Sequence, residues 1–342
     1  MLGCVAFGIP LLLSAFGFDA GPAMIALWRG SLGSPYAITS GTLVRATPVM
    51  LTGLSVALAF RAGVFNIGAE GQLLAGAAAA TAVSMLPVLG MSYASAPLAL
   101  LAGAAAGGSW AGVAALLRMR FRVLEVISTI LLNFVALYLV GYLVRGPLQE
   151  PLRIYPQSRS LALSARLPRL LPASRLHAGF LIALAAAVGA WCVLRYTAAG
   201  FRLRAVGANA DASRSAGMID VAATTTKAFV MSGALAGLAG AVELTGVTFA
   251  LYENISPGYG YTGIAVALLA RLDPLAVIAS SLVFGALEAG AAAMQRDAGV
   301  PSVVVSVLEA IIVLGLIIAW PQTSKVSVRR TRQASVSSRM EI

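Results

Sequence analysis

Histidine is almost missing from this sequence, with His177 the single example among 342 residues. That excludes His-based metal sites and all but excludes a Ser-His-Asp triad. Lysine is nearly as scarce. Lys227 and Lys325 are the only two, and no GxxxxGK[ST] run exists, so the chain does not hold ATP in a P-loop. The two cysteines, Cys4 and Cys192, lie in apolar segments with no metal-ligand spacing and no disulfide framework, and read as packing residues. Charged residues make up 11% of the chain, against about a quarter in soluble domains. No paired nucleophile and base is evident, so an enzyme is poorly supported.

Apolar residues fill the space, at 59% of the chain. This is the composition of a polytopic, all-α membrane protein. Runs long enough to span fall at about 2–18, 43–60, 64–86, 94–117, 123–144, 178–194, 224–245, 255–270, 274–293 and 303–320. About ten transmembrane helices are therefore expected. Residues 2–18 lack a preceding basic stretch and a small-residue cleavage site, so they read as a first membrane helix rather than a signal peptide.

The net charge of +11 raises nucleic acid as a partner, but the basic residues lie between apolar runs and act as topology determinants; no nucleic-acid partner is expected. Cytoplasmic termini place most of them inside, including the basic tail 321–342. The exception is the external loop 145–177, with Arg145, Arg153, Arg159, Arg166, Arg169 and Arg175 among five prolines. It is either a solvated loop or a docking surface for a soluble partner.

Spans 43–144 and 224–320 form two inverted four-helix groups plus two extra helices, a transporter layout with its substrate path at the group interface. The first group is interrupted by FRAGVFNIGAEGQLLAG, residues 60–76, which sets Arg61, Asn66, Glu70 and Gln72 in an apolar setting. Such a stretch is a tight turn or the lining of a cavity. The second group has SPGYGYTGIAVALLA, residues 256–270, in the corresponding position. Its GYGYTG matches GxGxxG literally, yet lies between membrane spans rather than after a strand. Tyr259, Tyr261 and Thr262 either line a pore or anchor the chain at the membrane surface.

Among the intramembrane acids Glu70, Glu125, Glu243, Glu288 and Glu309, only Glu70 sits in a polar cluster. It reads as a helix-start anchor near Arg61 or, in a proton-coupled carrier, as the titrating group. Glu125 is expected to pair with Arg122. Gly103–Gly107 and Gly233–Gly237 are GxxxG pairs, read as ordinary bundle packing. In the internal loop 195–222, Asn209 is an N-cap, Asp211 complements the helix dipole and Gly217 suits a C-cap, predicting a short helix from Ala210 to Ala216. Flanked by Arg202, Arg204 and Arg214, it suits a partner's groove or an anionic membrane surface.

GFRLRAVGANADASRSAGM, residues 200–218, resembles the cytoplasmic loop of ABC importer permeases of the branched-chain amino acid, ribose and simple-sugar class. RAGVFNIGAEGQLLAGA with SPGYGYTGIAVALLAR is most similar to the nucleoside-importer branch. The resemblance implies a transport subunit of the bacterial inner membrane that performs no chemistry and binds no cofactor. It further implies a second permease in a heterodimer, a cytoplasmic ATPase that holds the ATP and Mg, and an extracytoplasmic binding protein, a lipoprotein in many members. The permease domain would be 1–320. On this resemblance Arg202, Arg204, Asn209, Asp211, Arg214 and Gly217 carry ATPase coupling, and Asn66, Glu70, Gln72, Tyr259, Tyr261 and Thr262 line the path. Alternatives are a sugar or branched-chain amino acid permease and, from another class, an ion-coupled carrier.

Overall fold

In a computed structural model of the chain, residues 10–11, 13–86, 92–217, 219–301, 303, 304, 307, 310 and 311 are described. The chain divides into two units. Of Met1–Ala20 with Val303–Ile342, the described residues 10–11, 13–15, 303, 304, 307, 310 and 311 are helical. Most of the expected spans 2–18 and 303–320, the tail 321–342, Cys4 and Glu309 lie outside the described residues.

The unit Gly21–Ser302 is built of helices: α1 (Ala20–Ser31, starting one residue earlier), α2 (Leu43–Arg61), α3 (Ala69–Ser84), α4 (Ser95–Phe121), α5 (Glu125–Arg145), α6 (Gly179–Tyr196), α7 (Ala198–Ala208), α8 (Ala210–Ser215), α9 (Val221–Glu243), α10 (Tyr259–Leu269) and α11 (Pro274–Asp297). Wider π turns extend α2 backwards to Ala37 and α9 forwards to Thr248. Extended pairing among the described residues is limited to three isolated bridges, all involving the 145–177 loop.

Among the described residues six stretches are long and apolar enough to cross a membrane: Ala37–Arg61, Ser95–Phe121, Glu125–Arg145, Gly179–Tyr196, Val221–Thr248 and Pro274–Asp297. The expected count of about ten is not confirmed: 2–18 and 303–320 lie mostly outside the described residues, and two further expected spans fall short for a physical reason. Both 64–86 and 255–270 contain helices of only 16 and 11 residues. At 1.5 Å per residue these reach about 24 Å and about 17 Å, short of a hydrocarbon core of about 30 Å. Each starts after a non-helical stretch. Two helices were not foreseen: α1, and α7 within what reads in sequence as an irregular loop.

α9 packs against α2, α3 and α4, while α2 packs against α9, α10 and α11. Small residues set these distances. The two GxxxG pairs face each other: a Cβ on Gly107 would strike the Gly233 carbonyl, and one on Gly237 would strike that of Gly103. The bundle-packing reading is therefore correct, and the seam is internal to the chain. α7 lies on one end of the bundle, where Leu203 shares a buried cluster with Leu58, Val64, Leu194 and Phe229.

Candidate functional site

Val64 to Gly68 is the non-helical stretch between α2 and α3, and burial alternates along it as in an extended strand. Val64 and Asn66 are fully buried, whereas Phe65 is exposed. Buried backbone groups outside a helix need partners, acutely so in lipid. Gly68 N donates to Asn66 Oδ1 at 2.9 Å, and Ile67 N lies 3.4 Å from Thr129 Oγ1. Asn133 of α5 secures both sides of the helix start. Its Nδ2 donates to the Ile67 carbonyl at 3.0 Å, and its Oδ1 accepts from Gly71 N at 2.8 Å.

Asn66 and Gln72 join amide to amide, each carboxamide donating to the other's oxygen at 2.9 Å. Asn66 Nδ2 also donates to Ser232 Oγ at 2.8 Å, and Ser232 donates to the Ser55 carbonyl at 2.7 Å. The network therefore stitches α2, α3 and α9 together at the level of Ser55 and Ser232. Both amides are buried; Asn66 donates twice and accepts twice within the chain, whereas Gln72 donates once and accepts once.

The second break meets the first. Gly258, at φ +103, opens α10, and Gly260 N donates to Glu70 Oε2 at 2.7 Å. The N-termini of α3 and α10, both electropositive ends, thus converge around one carboxylate. Gly260 has no room for a Cβ, which would overlap the Glu70 backbone. Glu70 is a helix-start anchor as expected, but its partner is the opposing helix start, through Gly260 N, rather than Arg61.

The three expected residues of α10 do not share one environment. Tyr259 is buried, its carbonyl accepting from Thr52 Oγ1 at 2.9 Å; Thr262 is half-buried; Tyr261 is 47% exposed. Tyr261 and Tyr259 leave the helix about 200° apart, given 100° per residue. The Tyr261 hydroxyl lies 3.3 Å from Asn133 Nδ2. The polar seam thus has one accessible end, at Tyr261. Farther along α5, Tyr138, Gly141, Tyr142 and Arg145 line a cavity of about 480 Å³ with Glu253 and Asn254. There Arg145 Nε and Glu253 Oε1 are 2.7 Å apart, and the guanidinium holds the Glu253 carboxyl below its ordinary range.

Thr129, Asn133, Ser55 and Ser232 were not singled out in the sequence. Asn133 carried a signal, since an amide within LLNFVALYL is costly to bury unless it has partners. The serines carried none, because a serine in an apolar helix commonly bonds its own backbone.

In the 195–222 loop, Asn209 caps α8 through Oδ1, which accepts from Ala212 N at 2.9 Å. Asp211 pairs with Arg214 at 2.9 Å, both exposed, and Gly217 takes the left-handed φ of +69° that ends the segment. Arg202 is exposed and Arg204 half-buried on α7. Gly207 of α7 abuts the Arg61 carbonyl so closely that a Cβ would overlap it. α7 therefore rests on the end of α2, immediately before the first break, and α8 packs on α7 and α9. Glu125 differs from expectation. Its partner is Arg118 at 3.6 Å, while Arg122 takes the left-handed φ of 55° that ends α4.

Residues 145–177 are tied down by backbone bonds from Ser158, Leu161 and Leu167 to the carbonyls of Leu251, Phe249 and Thr245. Arg166 stacks over the Phe249 ring at 4.5 Å. Arg153, Arg159, Arg169 and Arg175 remain exposed.

A guanosine ABC transporter permease protein of Bacillus subtilis (strain 168) is 41% identical over 318 residues, covering 92% of this chain and 90% of its own. A glucose ABC transporter permease protein of Haloferax volcanii is 37% identical over 338 residues, 92% of this chain and 87% of its own. A nucleoside ABC transporter permease protein of Lactococcus lactis subsp. cremoris is 32% identical over 325 residues, 90% of this chain and 87% of its own. A second guanosine permease protein of the same Bacillus strain is 26% identical over 72% of this chain and 79% of its own. No solved structure matches. Residues 38–320 match the branched-chain amino acid transport system / permease component family, and the chain belongs to it, as a multi-pass protein of the plasma membrane.

Proposed function

We propose that this chain is the permease subunit of a nucleoside-type ABC importer. The observation that carries this reading is the 41% identity to a guanosine permease protein across nine-tenths of both chains. The glucose permease protein at 37% favours a simple sugar as the second reading. The chain forms a path and performs no chemistry; ATP and Mg belong to a separate cytoplasmic ATPase. A heterodimer is supported by the two guanosine permease proteins of one Bacillus strain. An extracytoplasmic binding protein, in many systems a lipoprotein, delivers substrate to the exposed arginines of the 145–177 loop.

The two groups 43–144 and 224–320 are inverted repeats. The reciprocal packing supports this, since α2 holds α10 and α11 just as α9 holds α3 and α4. The path runs where the two breaks meet, as in transporters with discontinuous helices. Tyr261 and Thr262 contact substrate there, while Asn66, Gln72, Glu70 and Tyr259 fix the walls from behind. Coupling runs through Asn209, Asp211, Arg214 and Gly217 on α8, with Arg202 and Arg204 on α7, into the end of α2 and so to the first break.

The test is uptake of labelled guanosine, uridine, glucose and ribose by vesicles holding this chain, its partner permease and the ATPase. ATP-driven nucleoside uptake that Tyr261→Ala alters in KM supports the proposal. Uptake driven by an ion gradient without the ATPase would overturn it.

A further inference from the structure

The membrane face that carries α7 and α8 holds a concavity of about 300 Å³, lined among others by Arg61, Arg195, Arg204, Trp191 and Asp273. The three guanidinium groups come from three elements, the last turn of α2, the last turn of α6 and the middle of α7. The Asp273 carboxylate is occupied as the N-cap of α11, its Oδ1 accepting from Leu275 and Ala276 N at 3.0 and 3.1 Å. None of the three arginines takes part in the ion pairs found among the described residues. Arg204 Nε reaches the Gly200 carbonyl at 3.4 Å.

Placement of cations at one membrane face accounts for arginines scattered over it. It does not account for three of them around one hollow, where the single Asp273 carboxylate leaves an excess of positive charge that repels itself. An anion in the hollow removes that repulsion, and the planar guanidinium fork fits phosphate oxygens. Trp191, stacked edge-on with Tyr196 at 5.4 Å, marks the depth at which amphipathic rings meet lipid headgroups.

We propose that Arg61, Arg195 and Arg204 form a binding site for a phosphate-bearing anion, supplied by an anionic phospholipid headgroup or by a free phosphate. Bound there, the anion ties the ends of α2 and α6 to α7 and stiffens the seat of the loop helices. The proposal concerns this chain alone and stands whatever substrate it carries.

The test is native mass spectrometry of the full chain in detergent, titrated with phosphatidylglycerol, with phosphatidylcholine and with inorganic phosphate as competitor. Phosphatidylglycerol is expected to bind preferentially, and each of Arg61→Gln, Arg195→Gln and Arg204→Gln to weaken it about fivefold, the worth of one interfacial cation. Arg120→Gln, on the exposed end of α4, leaves binding unchanged. Competition by inorganic phosphate identifies a free phosphate as sufficient; no competition identifies the headgroup. Equal binding of the two lipids without phosphate competition, or unchanged affinity in all three pocket variants, overturns the site.

Discussion

Asn133→Leu is the substitution that most directly tests the polar seam. The wild-type carboxamide makes three contacts, to the Ile67 carbonyl, Gly71 N and the Tyr261 hydroxyl. Leucine fills a similar volume but strands Ile67 O, in the non-helical stretch, and Gly71 N, in the first turn of α3 where no intrahelical partner exists. Interhelical hydrogen bonds in membrane proteins average about 0.6 kcal/mol, so three give a lower figure of about 2 kcal/mol. Two stranded buried groups at about 1–3 kcal/mol each give an upper figure of about 6 kcal/mol. At about 2 °C per kcal/mol for a chain of this size, melting in detergent falls by about 4 °C or more. Asn133→Asp keeps the acceptor for Gly71 N and is expected to lose less in the absence of substrate only if the carboxyl is protonated, so the comparison is made at low and neutral pH. The reasoning is refuted if Asn133→Leu melts with the wild type.

The remaining predictions concern coupling, packing and pH. Arg214→Glu abolishes ATP-driven uptake while membrane insertion, measured by fractionation, is unchanged, because the exposed Asp211–Arg214 pair contributes less than about 1 kcal/mol to stability. Gly237→Val drives a side chain into the Gly103 carbonyl and the Gly107 backbone, costing about 1–3 kcal/mol or more; a normal size-exclusion profile and melting curve would contradict that packing. Burial pushes the His177 imidazole down to about 4, with Arg175 adding to the effect. Between that value and an unfolded value near 6.5, the unfolded chain binds more protons, so stability is full above about pH 6.5 and falls as pH drops towards 4. His177→Gln is expected to flatten that part of the pH–melting profile, and an unaltered profile would remove His177 as its source.

The α8 cap was legible residue by residue. Asn209, Asp211 and Gly217 act through bonds and dihedrals within a few positions of themselves, and such local chemistry is written in order along the chain. The GxxxG pairs were equally readable as packing surfaces, though not as each other's partners. By contrast α7 was hidden, since a helix with three buried residues among eleven carries little apolar periodicity and depends on the bundle beneath it.

Composition determined that this chain is a membrane protein, at 59% apolar residues and 11% charge, and apolar runs of about 20 residues, too long for barrel strands, made it helical. The local motifs also located both helix breaks. Only the tertiary structure decided what those breaks do. It brought Glu70 against Gly260, 190 positions away, and turned Asn66 and Gln72 towards each other. It left Tyr261 as the exposed end of the seam. A carboxamide in sequence is only a capacity for hydrogen bonds, and the fold decides whether a substrate or a neighbouring residue fills it.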